Sequence, residues 1–166
     1  MFRTVKDFLR TWQYESDMTL KMINEFSDEA LEQRVTEDGR DLGFLAWHLT
    51  QTIGEMLAKV GLAVEAPGQA STRPTSTSEI KEAYEKAALS ATKEIEDNWT
   101  DETLLEKDEM YGETWARGFT LFCLVTHQTH HRGQMTVLMR QAGLKVPGVY
   151  GPAKEEWAAI GAPAMP

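Results

Sequence analysis

Four stretches of this chain repeat apolar residues at helical spacing, and no convincing strand separates them. The sequence therefore predicts an all-α fold, a four-helix bundle. The first stretch, about 5–26, places Val5, Phe8, Leu9, Trp12, Thr19, Met22, Ile23 and Phe26 on one stripe. Ser27 and Asp28 offer cap chemistry to a short segment reaching Val35, and Glu37-Asp38-Gly39 reads as a turn. The second stretch, about 42–60, lines up Leu42, Leu45, Leu49, Ile53, Met56 and Val60 and stops at Gly61. The third, about 77–98, turns Ile80, Tyr84, Ala87, Ala88, Ala91 and Ile95 inward, and Ser76 with Glu79 has the spacing of a capping box. Thr100 and Asp101 can cap one further short turn. The fourth and longest stretch, about 114–142, aligns Trp115, Phe119, Phe122, Cys123, Leu124, Val137 and Leu138 and closes at Gly143. A loop-like tail, 143–166, carries four prolines.

Between the second and third stretches, Gly61 to Thr77 holds Pro67, Gly68, Pro74 and a Ser/Thr run, the composition of a linker. Fully extended, it spans about 55 Å at roughly 3.3 Å per residue, more than the roughly 30 Å of a 20-residue helix. An overhand crossover is therefore permitted.

With 166 residues and 42% hydrophobic content, the chain has the size of one domain, 1–166, able to bury a core without disulfides. No stretch approaches the roughly 20 apolar residues of a membrane span. The N-terminal MFRTVKDFLRTWQYESD alternates charge with aromatics and lacks the apolar region of a signal peptide. The single cysteine, Cys123, excludes an internal disulfide and a cysteine-cluster metal site, which agrees with a reducing, cytoplasmic location. A net charge of −9 with scattered basic residues argues against nucleic-acid binding, which needs basic patches.

The segment Thr126-His127-Gln128-Thr129-His130-His131-Arg132-Gly133-Gln134 concentrates three of the four histidines. At about 100° per residue, His127 and His131 differ by only about 40° and project from one face a turn apart, a spacing that can grip one ion. His130, about 60° from His127 on the other side, could substitute for it geometrically but cannot easily share an ion with its neighbour His131. It reads as a residue beside the site or on the surface. The only other histidine, His48, lies near the inward stripe of the second helix, where packing against the fourth helix would bring it to the pair. Spacing alone leaves this triad and an ordinary boundary role for His48 both open.

The string HQTHHRGQ on a late helix and LGFLAWHLTQTIGE on an earlier one resemble the DinB-like (YfiT-like) family of small bacterial metal-binding bundles. The order of elements and the closing segment KVPGVYGP are similar too, so the resemblance covers nearly the whole chain. The family label derives from damage-inducible expression, and nothing here resembles a polymerase. The resemblance implies an up-down-down-up bundle with a long crossover between helices two and three, often a homodimer. It also implies a divalent transition metal, zinc or nickel, held by the residues that match its motif, here His48, His127 and His131.

Three imidazoles leave a coordination position open, as catalytic rather than structural sites do. There an ion generates a nucleophile from water or keeps a thiol as thiolate. Some family relatives resemble thiol S-transferases using bacillithiol or mycothiol. The leading expectation is thus a metal-dependent enzyme that transfers a low-molecular-weight thiol to an electrophile, or else hydrolyses a small substrate. The alternative is a non-catalytic metal-binding stress-response protein. Gln51 and Glu55 follow His48 near its helical face and could orient a ligand or contact substrate, or be ordinary polar boundary positions. Arg132 could attract an anionic substrate or pair with an acidic residue, a reading that the acidic composition slightly favours. Cys123, a turn before His127, reads as a small buried residue. Gln128 after His127 breaks the HExxH pattern of zinc proteases. No residue declares itself catalytic; Tyr150 and Trp157 in the tail could supply an aromatic lid, although an ordinary role in the fold is the favoured reading.

Overall fold

The computed structural model describes residues 1–163, so the last three residues of the tail expected over 143–166 lie outside the described residues. Four helices carry the chain: α1 Val5–Ile23, α2 Leu42–Ala58, α3 Thr77–Asn98 and α4 Arg117–Gln141. The expected stripes of α2 and α3 are buried throughout. The capping chemistry differs from the expectation at α3. Ser76 makes no side-chain cap bond there; its hydroxyl meets that of Ser78, and the Asp28 carboxylate accepts from the Thr77 amide at 2.7 Å. A carboxylate borrowed from the preceding connection answers both the free amide and the positive end of the helix dipole. Asp101 serves α1 in the same way, accepting from the Val5 amide, and Asp41 caps α2 by accepting from Phe44.

α1 packs on α3 and α4, and so does α2. Contacts at successive levels give the directions. Trp12 donates to the Ala88 carbonyl while Thr19, further along α1, shares Gln128 with Tyr84, earlier in α3, so α1 and α3 run antiparallel. The Phe2 amide bonds the Gly118 carbonyl and Arg132 reaches the Glu15 carbonyl, so α1 and α4 run parallel. Asp28, before α2, reaches the start of α3, while the amide of Ala63, after α2, donates to Glu94 near the end of α3. The connection between α2 and α3 therefore returns along α3, and Gln51 pins it by donating to the carbonyls of Gly68 and Gln69. At Gly54 a Cβ would stand 2.7 Å from that of Ala66, so only glycine lets the strap lie this close.

Gln128 sits at the centre, wholly buried. Its Oε1 accepts from Thr19 of α1 at 3.2 Å and Tyr84 of α3 at 2.9 Å, and its Nε2 donates to the Leu49 carbonyl of α2 at 3.4 Å. One amide thereby ties all four helices at the level of the histidines, with each polar atom partnered as burial requires.

Two features depart from the all-α expectation. Residues 114–116, expected to open helix four, instead lie in the second strand of an antiparallel hairpin, β1 Lys107–Met110 with β2 Glu113–Ala116, so α4 begins at Arg117. Its two-residue turn, Tyr111-Gly112, has φ of 56° and 87°. Both positive angles match the mirror-image turn that suits the twist of a hairpin. The buried side of α4 also differs. Phe122 and Val137 are exposed, whereas Thr120, Gln128, His131 and Arg132 join Leu121, Leu124, Met135 and Leu138 inside. Gln128, His131 and Arg132 occupy the interior because each finds a partner there or at the histidine cluster, whereas the Thr120 hydroxyl has none among the described residues. Among the described residues, no helix is long and apolar enough to cross a membrane.

Candidate metal centre

α2 and α4 pack antiparallel, which sets His48 of the first against His127 and His131 of the second. His48 lies between Trp47 and Leu49, both buried, and its ring stacks on Phe44 with centroids 5.8 Å apart. On α4 the i, i+4 spacing brings the rings of His127 and His131 to 4.5 Å. His127 Nε2 stands 3.2 Å from His48 Nε2 and 3.0 Å from His131 Nε2. Ligand-capable atoms of the three all lie within 4.8 Å of one another, and no other His, Cys, Asp or Glu among the described residues joins the group.

Three imidazole nitrogens converging on His127 form a crowded set. One N–H can be shared with only part of the group, whereas a cation among three lone pairs satisfies all of them. A tetrahedral ion with bonds of about 2.0–2.1 Å separates its donors by about 3.3–3.4 Å. The observed separations lie close to that, so the residues fit a divalent transition metal; imidazoles alone suit several such metals.

Burial pushes all three imidazoles below the ordinary histidine range, and Arg40 with the neighbouring rings pushes the same way, while Glu55 partly opposes the shift at His48 and Gln134 that at His131. His127 is moved furthest, to about 4. At neutral pH the cluster is therefore uncharged, the state a metal needs. In the unfolded chain these groups titrate near about 6.5. As pH falls, the unfolded state takes up protons first, so the contribution to stability is complete above about pH 6.5 and drains away towards about pH 4. Metal-free protein should have a lower urea midpoint at pH 5 than at pH 7.5, and His127→Gln should narrow that gap. An equal gap in the variant would assign the loss to other groups.

A cleft of about 760 Å³ opens beside the cluster, lined by His48, His127 and His130 together with Glu55, Tyr111 and Trp115. Of the residues expected near the metal, Glu55 lies in this cleft, where its carboxylate accepts from the Tyr111 hydroxyl at 2.5 Å and faces Lys59 at 3.5 Å. His130 is exposed and lines the cleft without joining the cluster. Gln51 is turned to the connecting strap. Arg132 is buried in an ion pair with Glu15 between α4 and α1. Cys123 also lines the cleft, half-buried, with its thiol pushed up by burial. The tail packs elsewhere: Tyr150 bonds Glu15 and Arg132, and Lys21 donates to the Gly148 carbonyl.

Three contributors to the site were not foreseen from the sequence. Tyr111 and Trp115 reach the cleft through the unexpected hairpin, whose only sequence signal was Gly112 within a charged stretch. Gln134 accepts from His131 Nδ1 at 2.6 Å, and its position three residues after that histidine was the available clue.

A family model described as the DinB family matches residues 1–165. The Bacillus subtilis (strain 168) protein YrdA is 45% identical over 161 residues, which cover 97% of this chain and 96% of that protein. The crystal structure of a DinB-like protein from Bacillus cereus ATCC 10987 superposes with a TM-score of 0.87 at 39% identity, covering 90% of this chain and all of its own. A DinB-like protein from Bacillus subtilis, YjoA, superposes with a TM-score of 0.69 at 13% identity, over 89% of this chain and 99% of its own, and speaks to the fold alone.

Proposed function

The chain belongs to the DinB family, and from that premise we propose that it is a metal-dependent enzyme of the thiol S-transferase type, holding one zinc or nickel ion on His48, His127 and His131. The observation that carries this reading is the meeting of the three ring nitrogens at the wall of an open cleft. A structural metal site is closed by its ligands, whereas His48 and His127 here border space for a substrate. When bound, the ion supplies a Lewis acid that holds a thiol as thiolate or activates water.

The chain's own side chains provide the rest. Trp115 and Met56 form an apolar wall for an electrophile, and the Tyr111–Glu55 bond fixes the hairpin across the cleft. In the reaction the thiol loses its proton, a carbon–sulfur bond forms and the leaving group departs with its bonding electrons. The pairing directions support an up-down-down-up arrangement in one domain, the lone cysteine accords with a cytoplasmic location, the family resemblance with a homodimer, and the net charge of −9 with no nucleic-acid partner.

Metal-loaded protein incubated with bacillithiol and monochlorobimane is expected to form the conjugate with release of chloride, and His127→Ala to abolish turnover. No rate above the uncatalysed background across a panel of thiols would remove the transferase assignment.

A further inference from the structure

We propose that Gln134 is a positioning residue for the metal centre, fixing the tautomer and ring angle of His131; the proposal rests on the three-histidine reading above. Gln134 lies three residues after His131, on the same side of α4 one turn along. Its Oε1 stands 2.6 Å from His131 Nδ1, and its Nε2 stands 3.2 Å from Nε2 of the exposed His130. An amide oxygen only accepts, so this contact assigns the proton to His131 Nδ1 and leaves Nε2 with a bare lone pair. That lone pair faces His127 Nε2 at 3.0 Å, where the ion would sit.

The amide's own orientation is set at its other end. An amide nitrogen only donates, so His130 Nε2 must accept from it. With the amide reversed, an N–H would face His131 Nδ1, the ring proton would move to Nε2, and the metal-facing position would be blocked. His130, set apart from the ligands by geometry, thus acts through Gln134 as the anchor of that orientation.

The other two ligands are held differently. His127 Nδ1 is buried with no hydrogen-bond partner among the described residues, and His48 is held by its stack on Phe44. Gln134 is itself exposed, so core packing does not account for it. Outer hydrogen bonds of this kind set ligand tautomer and basicity, and their removal commonly costs 10- to 100-fold in metal affinity.

The test compares the parent chain with Gln134→Leu and Gln134→Glu. Long-range proton–nitrogen spectra of the imidazoles in metal-free protein at pH 8 should show His131 protonated at Nδ1 in the parent and in Gln134→Glu. In Gln134→Leu the Nε2-protonated form should appear. Cobalt(II) titration should then show affinity reduced roughly 10- to 100-fold in Gln134→Leu and restored by the glutamate, which keeps the acceptor. Urea midpoints of the metal-free variants should stay together, since the position is exposed. An unchanged His131 tautomer in Gln134→Leu, or equal loss of cobalt affinity in both variants, would overturn the proposal. A parent chain that binds no cobalt would refute the metal reading itself, and the tautomer spectrum would still decide whether Gln134 sets His131.

Discussion

Glu15→Ala is expected to destabilise the protein by about 3–5 kcal/mol, far more than a surface change. Arg132 is 3% exposed and Glu15 6%, so neither charge can turn to water if the other is removed. The guanidinium bonds the Glu15 carboxylate and carbonyl and the Thr19 hydroxyl, and the Tyr150 hydroxyl donates to the same carboxylate at 2.7 Å. Deleting the carboxylate leaves a buried cation with neutral partners only and removes one of the bonds that hold Tyr150 of the tail. Replacing both Glu15 and Arg132 by leucine should cost less than Glu15→Ala alone, because the pair's desolvation penalty disappears with its attraction. Urea unfolding of the three proteins checks this. A loss below about 1 kcal/mol for Glu15→Ala, the worth of an exposed pair, would contradict the buried network.

The second large effect concerns the metal. An ion that binds only the folded chain should raise stability by about 2.7 kcal/mol at a free concentration 100 times its dissociation constant. Zinc or nickel added to metal-free protein should therefore raise the unfolding midpoint of the parent chain. His127→Ala should erase that rise, because His127 Nε2 is the nitrogen nearest both other ligands. His130→Ala should reduce the rise without erasing it, since His130 stands outside the cluster and acts on the ion only through Gln134. Equal responses in the two variants would show that the ion binds elsewhere.

The readability of this chain followed the chemistry of each helix. The buried stripe of α3 was legible, though not its cap, because Ile80, Tyr84, Ala87, Ala88, Ala91 and Ile95 face inward and mostly polar residues fill the other side. α4 was not, because its interior face carries Gln128, His131 and Arg132 while Phe122 and Val137 point outward. Hydropathy cannot anticipate a buried amide whose partners lie on three other helices. The hairpin was hidden by its brevity and its charges, since Lys107-Asp108-Glu109 reads as solvated loop and pairing with Glu113–Ala116 is what makes it a strand. Of the candidate site, the His127 and His131 geometry could be read from spacing alone. His48 needed the family resemblance, because helix packing rather than sequence distance brings it within reach.

Metal analysis of untagged protein purified from cells, run beside His48→Ala and His127→Ala, shows directly whether the three histidines hold one ion. About one zinc or nickel ion per parent chain, lost from both variants while their folded helix content persists, is the predicted result. A parent chain without stoichiometric metal, or variants that retain it undiminished, would contradict the claim.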